Sequence, residues 1–451
     1  MSGRRFLIGA ALACLAWRAL PLPAAAGTTY YVRVDNPIPS PPYTMWTIAA
    51  TNIQQALAFA ANGDLVLVSN GTYRITTELQ LFSAVTVQSV NGAAHTIVDA
   101  GGTDRCFYVY HSNAVVDGFT LRNGNADYAA LSFGFGGGVY CWPGSVVRNC
   151  IIQSNQAKFF GSPAFGGGAY LYHGGTLQNC LVVDNWAGQG GGVFFESGGT
   201  IQHCTVSSNT AAQGGGIYCN NAATSRNSII YHNSGGADSN YFNTGPDWVY
   251  AYSCMAPLII APGNIASNPA FVNTASGNFH LAQGSPCIDT AWSVVGLPED
   301  LDGVPRPLDG DADGSTNYDM GCFEFAGTNT DADADGLTDG AEVNVYGTNP
   351  KNPDCDGDTQ RDGDETWAGT DPLAASSYFR VASAALSTNT GLLVRWPSIS
   401  NRQYTVLRST NLVWGTNFYA LANNVTSSPP ENTYTDVVGA AYRFYRVGVQ
   451  R

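Results

Sequence analysis

The chain has 451 residues, of which 44% are hydrophobic and only 12% are charged, and it contains 52 glycines. This length exceeds one ordinary compact domain, so two or three structural units are expected, and the low charge with abundant glycine favours a β-rich extracellular protein over a cytosolic α/β enzyme. The net charge of −14 argues against nucleic acid as a partner, because a protein that binds a phosphate backbone needs basic residues.

The N-terminal stretch is predicted to be a secretory signal peptide, residues 1–26. Two arginines precede a short apolar run, and the small-residue sequence LPAAAG surrounds the predicted cleavage site after Ala26. A membrane anchor is the alternative, but Trp17 and Arg18 interrupt an apolar run that is already too short to span a bilayer. We therefore predict a secreted protein, extracellular or at the cell surface, with no transmembrane segment in the mature chain.

A short helix is predicted next, at residues 51–61. Thr51 and Gln54 of the sequence TNIQQALAFAA form a capping-box pattern, and Asn62 and Gly63 mark the stop. This helix would cover the N-terminal end of the repeat structure that follows it along the chain.

Four glycine triplets define an internal repeat, in the lines GGGVY, GGGAY, GGGVF and GGGIY. They begin at Gly136, Gly166, Gly190 and Gly214, and the last three lie 24 residues apart. A fixed period of this size indicates a solenoid, and the short β-branched and aromatic segments do not fit a leucine-rich repeat. The sequence therefore predicts an all-β fold, a right-handed parallel β-helix over residues 27–290 including its cap, with coils about 4.8 Å apart.

Equivalent residues of successive coils are predicted to stack in rows. The rows are an inward apolar row (Val139, Ala169, Val193, Ile217), an inward row of small residues (Cys150, Cys180, Cys204, Ser228) and an asparagine ladder (Asn155, Asn185, Asn209, Asn233). The triplets are expected where a positive φ or close contact with the next coil excludes a Cβ atom. The asparagines would adopt the left-handed conformation and bond to one another, and the cysteines would form a buried ladder rather than disulfides.

The GGGVY and GGGAY lines resemble surface β-helices of the pectin-lyase-like superfamily, which includes bacterial adhesin repeats. NFHLAQGSPCIDTA, followed by DLDGVPRPLDGDADGSTNYDMGCFEF, resembles the choice-of-anchor-type closing module of secreted bacterial β-helices. The resemblance covers about residues 28–326 and implies the fold, export and a closing module at residues 291–326. It implies no single activity, because the superfamily holds lyases, hydrolases and proteins that are not enzymes.

The acidic charge is concentrated in one segment, with 20 acidic residues against three basic ones between Glu299 and Asp371. Residues 331–342, DADADGLTDGAE, place oxygen ligands at positions 1, 3, 5, 9 and 12 of a calcium loop, with a glycine at position 6. Residues 354–365 repeat the pattern with Thr359 in place of that glycine, which puts the turn in question. The predicted calcium ligands are Asp331, Asp333, Asp335, Asp339, Glu342, Asp354, Asp356, Asp358, Asp362 and Glu365.

The lines YGTNPKNPD and AGTDPL beside these loops resemble thrombospondin type-3-like calcium repeats of bacterial surface proteins. The resemblance implies repeats over residues 327–375, in which structural calcium orders a segment that would otherwise repel itself. The alternative is a solvated acidic linker. The stretch DGDADGSTNYD at residues 309–319 is left open as a third site, because the twelfth position is Met320.

The last part of the chain, residues 376–451, is predicted to be a small β-sandwich. It contains about six β-branched and aromatic segments separated by turn residues. Its arginines could form a basic face, but such charges commonly lie on a solvated face of a sheet. The sequence predicts no ligand for this unit.

An aromatic face is the predicted ligand-binding surface of the repeat. The residues after Val139 and its equivalents should point outward, and insertions at one turn of two successive coils add further aromatic residues. Such rings could stack sugar rings along a groove, or the inserted loops could fold over the outward row and bury it. The aromatic residues of that turn are Tyr128, Phe133, Phe135, Phe159, Phe160, Phe165 and Trp186. The predicted ligand-binding residues are Tyr140, Trp142, Tyr170, Tyr172 and Trp186.

No catalytic motif is recognised in the repeat. Glycoside hydrolysis needs two carboxylates at a defined separation, and a lyase needs a base with a charge neutraliser. The candidate residues, for which structural roles are expected, are Asp117, Asp184, Glu196, Arg148, Lys158 and His173. The predicted function is therefore a calcium-stabilised surface or extracellular module that binds polysaccharide or cell-envelope glycan. The alternative is a polysaccharide lyase or glycoside hydrolase of the same superfamily.

Overall fold

The computed structural model describes ten segments of the chain. They are residues 27–128, 134–158, 164–236, 238–294, 296–311, 313–327, 330–387, 391–409, 418–437 and 444–449. The predicted signal peptide lies outside them, as do Phe133, Phe159 and Phe160 of the predicted insertions.

Three parallel sheets form the right-handed β-helix that the sequence predicts. Each coil gives one strand to the third sheet, then one to the first and one to the second. The first sheet contains Thr29–Val32, Leu65–Val68, Thr86–Ser89, Val115–Asp117, Val146–Arg148, Thr176–Gln178, Thr200–Gln202, Ala222–Arg226 and Asp247–Ala251. The second contains Gly71–Arg74, Thr96–Asp99, Thr120–Arg122, Ile151–Gln153, Leu181–Val183, Thr205–Ser207, Ile229–Tyr231 and Cys254–Met255. The third contains Leu79–Leu81, Phe107–Val109, Val139–Cys141, Ala169–Tyr172, Val193–Glu196, Ile217–Asn220 and Tyr241–Asn243.

The predicted inward rows are confirmed by the strand register. Val139 pairs with Ala169, Ala169 with Val193 and Val193 with Ile217, and all four side chains are buried. The row of Cys150, its equivalents and Ser228 is also buried, and the ten cysteines outside the signal peptide are all free thiols. The core is therefore a stack of like residues held in phase by parallel pairing.

The asparagine ladder is also present, but its backbone differs from the prediction. Asn185 Oδ1 accepts bonds from Asn155 N and Nδ2, both at 3.0 Å, and Asn209 Oδ1 repeats the pattern with Asn185. The left-handed conformation belongs to the preceding residues, such as Ser154 and Asp184, each with φ of 56°. The prediction of left-handed asparagines is therefore wrong, because the residue before each one makes the turn and leaves the amide free to point inward.

The glycine triplets are explained by contact between coils. The first glycine of each triplet has a positive φ, which is 62° at Gly190. A Cβ atom on Gly191 would lie 2.5 Å from the carbonyl oxygens of Gly215 and Thr210. The triplet thus combines one left-handed residue with positions where the neighbouring backbone leaves no space for a side chain, as the sequence predicts.

The substitution Gly191→Ala tests this packing. We expect the free energy of unfolding of the β-helix to fall by about 3 kcal/mol, because two coils must separate to admit the methyl group. Urea unfolding measures the effect as a lower midpoint at unchanged slope. The control is Gly448→Ala, where a Cβ atom meets no atom within 4 Å. A midpoint for Gly191→Ala as high as that of the control would contradict the close approach.

A short helix, Ile53–Leu57, packs at the N-terminal end, as predicted, but it begins later. Its N-cap is Asn52, whose Oδ1 accepts the backbone N–H of Gln55 at 2.9 Å, whereas Thr51 was predicted to cap. Asparagine is a more favourable N-cap residue than threonine, which explains why Asn52 caps the helix instead of Thr51. Ile53 and Ala56 are buried in the same core cluster as the sheets, so this helix covers the open end of the solenoid.

The predicted closing module packs along a side of the solenoid. Phe279, Cys322 and Phe323 contact Leu181 and Val183 on the outer face of the second sheet. The hairpin Phe271–Asn273 with Asn278–Leu281 precedes residues 291–326 in the chain and packs with them through Phe279. Ile259, from the preceding loop, joins the main core beside the last coil. The C-terminal end and the flank of the β-helix are therefore covered by different parts of the chain.

A buried polar cluster links this segment to a coil turn. Arg306 Nη1 donates to His203 Nδ1 at 2.9 Å, Nη2 donates to the carbonyl oxygen of Gly321 at 3.2 Å, and Nε lies 3.3 Å from Glu324 Oε2. Burial and the adjacent guanidinium hold the pKa of His203 well below its usual value. The ring is thus neutral and accepts the bond from Arg306.

The C-terminal part contains two short helical segments and a β-sandwich. The helical residues are Asp339–Ala341, continued as a π-helix over Glu342–Tyr346, and Asp362–Ala368. One antiparallel sheet contains Ser383–Ser387, Gly391–Pro397 and Glu431–Asp436, and the other contains Gln403–Ser409, Tyr419–Thr426 and Phe444–Val449. Trp396 and Tyr404 pack between the sheets, as predicted for a sandwich. Along the ten described segments, no helix is long and apolar enough to cross a membrane.

Candidate functional site

Four aromatic rings, two exposed and two half-buried, lie side by side at the C-terminal ends of four successive strands of the third sheet. Phe82, Tyr110 and Trp142 each follow their strand directly, and Tyr172 is the last residue of its strand. Successive ring centroids are 5.7, 4.3 and 4.9 Å apart. Phe82 is 52% and Tyr110 43% exposed, whereas Trp142 and Tyr172 are half-buried. We call these four residues the aromatic stripe.

The rings of the stripe are held by the layer beneath them. Trp142 Nε1 donates to Tyr108 Oη at 3.0 Å, and the Trp142 backbone N–H bonds to the carbonyl oxygen of Val109 at 2.9 Å. The indole therefore satisfies its polar atom inside the protein. Adjacent rings of the stripe are inclined to one another by 58–61°, so the surface is ridged rather than flat.

Polar residues continue the same row beyond Tyr172. Glu196 pairs with Tyr172 in the strand register, and Asn220 follows Glu196. The Glu196 carboxylate accepts a bond from Tyr170 Oη at 3.3 Å and from Asn220 Nδ2 at 3.1 Å. His173 contacts Glu196 through its backbone N–H, which bonds to the Glu196 carbonyl oxygen at 2.9 Å. The row thus ends in a carboxylate and an amide next to the aromatic rings.

Two of the predicted ligand-binding residues lie beneath this surface. Tyr140 is 5% and Tyr170 4% exposed, in a stacked row with Tyr108, Phe194 and Tyr218. Phe135 and Phe165, which follow the insertions, pack on this row, with ring centroids 5.0 Å from Tyr170 and 4.7 Å from Phe194 respectively. Tyr140 and Tyr170 are therefore inaccessible to a stacking sugar, because Phe135 packs on Tyr170 and the rings of Tyr108 and Tyr170 flank Tyr140.

Trp186 lies at the opposite end of the third-sheet strands from the stripe. It starts the short strand Trp186–Gln189 and is 43% exposed, with Lys158 Nζ 5.5 Å from the ring centroid. It lines a shallow cleft of about 510 Å³ together with Ser154, Gln156 and Asp184. The predicted set is therefore divided: Trp142 and Tyr172 share one surface, and Trp186 belongs to another.

Sequence reasoning missed Phe82 and Tyr110. The coils that carry them have no glycine triplet, so the repeat alignment does not reach them. Their signal is the register, since Leu81 pairs with Val109 and Val109 pairs with Cys141. The residue after each of these is aromatic, and the parallel pairing brings the aromatic residues together.

The two acidic loops form two similar carboxylate clusters. One consists of Asp331, Asp333 and Asp335, and the other of Asp354, Asp356 and Asp358, with carboxylate oxygens within 4.8 Å of one another in each. Asp331 accepts the backbone N–H groups of Asp335 and Gly336, and Asp354 accepts those of Gly357 and Thr359. The backbone thus wraps around each cluster in a comparable way.

Several carboxylate oxygens in these loops are buried without a hydrogen-bond partner within the described chain. They belong to Asp333, Asp339, Glu342, Asp356, Asp358, Asp362 and Glu365. Burial, followed by the neighbouring aspartates, raises the pKa of Glu342 to about 8 and of Glu365 to about 7. Buried carboxylates without partners are unfavourable. Oxygen donors at this spacing fit a hard divalent cation, which would satisfy them.

The turn of the second loop is intact despite its threonine. Thr359 has a φ of 82°, comparable with 102° at Gly336 in the first loop. The two loops also contact each other, since Gly363 N donates to Asp335 Oδ2 at 2.7 Å. The chain therefore carries two linked loops of the same shape. In the second loop the left-handed position is occupied by Thr359, a β-branched residue for which a positive φ is unfavourable.

The third acidic stretch makes the same turn as the two loops: Asp309 accepts the backbone N–H groups of Asp313 at 3.1 Å and Gly314 at 2.9 Å, and Gly314 has a φ of 89°. Asp309 and Asp311 gather with Asp289, whose two oxygens accept the backbone N–H groups of Gly310, Asp311 and Asn317. Asp319 is buried apart from them and accepts from the backbone of Asp289 and Phe325. The stretch therefore shares the turn of the two loops but lacks a closing carboxylate at the twelfth position, which is Met320.

Comparisons with known proteins agree with this architecture. Residues 80–246 match the family described as right handed beta helix region, and residues 331–353 match the bacterial TSP3 repeat. No curated protein matches the chain in sequence.

Solved structures similar to the chain include pectate lyase Pel9A, at 13% identity, covering 66% of this chain and 96% of the other, with a TM-score of 0.30. A pectin methylesterase in complex with hexasaccharide VII is 11% identical, covering 50% and 78%, with a TM-score of 0.31. A pectin methylesterase from Aspergillus niger is 10% identical, covering 54% and 84%, with a TM-score of 0.24.

Proposed function

We propose that the protein is exported and binds polysaccharide or cell-envelope glycan through the aromatic stripe. The observation that carries the proposal is the contiguous row of four rings, two exposed and two half-buried, with centroids 4.3–5.7 Å apart. Contiguous exposed apolar surface marks interaction sites, and aromatic rings combine an apolar face with rigid geometry. Glu196 and Asn220 at the end of the row would add hydrogen bonds to sugar hydroxyls.

We further propose that both acidic loops bind calcium. The proposal is supported by the buried unpartnered oxygens and by ligands at positions 1, 3, 5, 9 and 12 of each loop. The ligands would come from Asp331 to Glu342 in the first loop and from Asp354 to Glu365 in the second. The role is structural, because the ion would neutralise crowded carboxylates and fix both loops.

A polysaccharide lyase or glycoside hydrolase is the second candidate, favoured by the Glu196 carboxylate beside the stripe. Hydrolysis needs a second carboxyl group within about 5–9.5 Å. Asp117 is paired with Arg148 at 2.8 Å on the first sheet, and Asp184 lines the cleft of Trp186 at the other end of the third-sheet strands. Neither Asp117 nor Asp184 therefore lies beside Glu196 as a second carboxyl group. For this reason we favour binding over catalysis.

The double variant Trp142→Ala/Tyr172→Ala tests the stripe. We expect retention in polysaccharide-containing gels to fall by about 30-fold or more in apparent affinity, since a central aromatic contact contributes about 2 kcal/mol. Acidic and neutral polysaccharides form the panel, and Trp186→Ala is the matched control. Loss of retention in the control alone would move the binding site to the Trp186 cleft. New reducing ends, or absorbance from new double bonds, would instead support the enzyme, with Glu196→Gln as the variant that removes activity.

A further inference from the structure

The coil that contains Trp186 differs from its neighbours at the turn that follows the second sheet. The buried asparagine ladder fixes the backbone there, and each ladder asparagine lies between two residues that are not buried. These flanking pairs, in four successive coils, are Ser154 and Gln156, Asp184 and Trp186, Ser208 and Thr210, and His232 and Ser234. Of the four pairs, one combines an acid with an aromatic ring.

Trp186 is held by its backbone while its side chain stays accessible. Its N–H donates to the carbonyl oxygen of Asn155 at 2.9 Å, and its own carbonyl oxygen accepts the N–H of Ala157 at 2.9 Å. The residue is 43% exposed, and the next coil pairs it with the much smaller Thr210. An indole fixed in this way offers a preformed aromatic face to a ligand.

A cation already lies at this face. Lys158 Nζ is 5.5 Å from the centroid of the Trp186 ring, within the range of a cation–π contact. Within the described segments this ammonium group forms no ion pair with a carboxylate. The contact shows that the ring is open to a positive charge from solvent.

Asp184 adds an unpaired carboxylate to the same cleft. Among the described residues that line this space of about 510 Å³, Asp184 is the one that carries a charge. Along the described segments its carboxylate has no hydrogen bond or ion pair, and partial burial raises its pKa. The cleft thus combines an aromatic face with a negative charge that lacks a partner, which suits a cationic ligand.

We propose that this cleft binds a small molecule that carries a quaternary ammonium group, as choline does. The cation stacks on Trp186 in place of the Lys158 ammonium, and Asp184 balances its charge. A lysine ammonium is compact and strongly hydrated, so it returns to water readily, whereas a quaternary ammonium is the cation that aromatic faces recognise best. Lys158 is therefore an internal competitor for the site. The cleft is independent of the aromatic stripe, which lies at the opposite end of the third-sheet strands.

Titration of the full chain with choline tests the proposal, with the ring-current shift of the methyl protons as the NMR signal. We expect dimethylbutanol, the uncharged isostere of choline, to bind about fivefold more weakly or worse, because it lacks the charge. Trp186→Ala and Asp184→Asn should each weaken choline binding by about fivefold, and Trp186→Ala should also abolish the ring-current shift. Lys158→Met should strengthen choline binding by about threefold, because the competitor is removed.

Trp46→Ala is the matched control, since Trp46 is 37% exposed but lies in the N-terminal cap region. It should bind choline as the unmodified protein does, and so should the stripe variant Trp142→Ala/Tyr172→Ala. Retention on phosphatidylcholine vesicles that free choline reverses would identify a membrane head group as the source of the ligand, and its absence would restrict the site to soluble cations.

Three results would overturn the assignment, each with unfolding midpoints unchanged. They are equal affinity for choline and its uncharged isostere, unchanged choline affinity in both Trp186→Ala and Asp184→Asn, and no choline binding by either the unmodified protein or Lys158→Met. Equal choline affinity of Lys158→Met and the unmodified protein would contradict the role of Lys158 as a competitor.

Discussion

Chelation of calcium is expected to open residues 330–372 to protease while the β-helix stays folded. The buried oxygens of both loops lose the partner that the ion supplies, and the clustered carboxylates then repel one another. An ion present at 100 times its Kd stabilises the folded state by about 2.7 kcal/mol per site, so its removal should unfold these loops locally. The apolar core of the solenoid contains none of these residues and should keep its own unfolding midpoint.

Limited proteolysis with and without chelator measures the effect. Cleavage near Asp335 should accelerate strongly in chelator, and Glu342→Gln and Glu365→Gln should be cleaved in calcium as the unmodified protein is in chelator. Glu299→Gln, an exposed acid outside the loops, is the control and should behave like the unmodified protein. Equal rates of cleavage near Asp335 in both conditions would show that the segment is an acidic linker without bound calcium.

The sandwich should respond to the same treatment. Arg402 donates to the carbonyl oxygen of Trp367 at 2.9 Å, and its guanidinium lies 4.2 Å from the centre of the Trp367 ring. Trp367 belongs to the helix Asp362–Ala368 that begins inside the second loop. Unfolding of that loop therefore removes the surface on which the sandwich rests, and new cleavage sites should extend to its first strand.

The substitution Arg306→Met is expected to lower the free energy of unfolding by about 3–5 kcal/mol, the usual effect of removing one partner of a buried ion pair. The Glu324 carboxylate would remain buried without its cation, and His203 Nδ1 and the Gly321 carbonyl would lose their donors. Because Arg306 connects the closing segment to a coil turn, amide exchange should rise first in residues 300–326.

Arg148→Met is the matched control for this change. Arg148 is paired with Asp117 at 2.8 Å, but the arginine side chain is 44% exposed. A pair of this kind contributes about 0–1 kcal/mol, so the control should unfold close to the unmodified protein in urea. Similar midpoints for Arg306→Met and Arg148→Met would mean that the buried cluster contributes little to the attachment of the closing segment.

The repeat could be predicted because each coil requires the same residue types at the same positions. Gly190 and Gly214 recur with the asparagines and cysteines at fixed offsets, and parallel pairing converts offsets along the chain into rows in space. The acidic loops could be predicted equally well, because a calcium loop is defined by the spacing of oxygen ligands within twelve consecutive residues. The predicted ligand positions follow directly from the spacing of the acidic residues.

The surface could not be predicted to the same depth, because it depends on contacts between distant parts of the chain. Phe135 covers Tyr170, and Phe165 covers Phe194, through contacts between different coils. The packing of Phe323 on Leu181 joins residues far apart in sequence, and no local pattern indicates it. The positive φ of Tyr252 could not be predicted for the same reason. It is recognised only by comparison with the equivalent positions of earlier coils, such as Asn227.

The constant coil length has a consequence for how such a protein changes in evolution. The 24 residues between Gly190 and Gly214 form one complete turn whose two neighbours offer almost identical interfaces. Duplication of that unit would lengthen the solenoid by about 4.8 Å and keep the rows of the core in register. The closing segment, which contacts coils from Leu181 to Asn227, would have to repack along the longer flank. Duplication of a coil that ends in an aromatic residue would extend the stripe by one ring. Gene duplication of a single repeat could thus adjust the number of sugar units that the proposed surface spans, in steps that preserve the core.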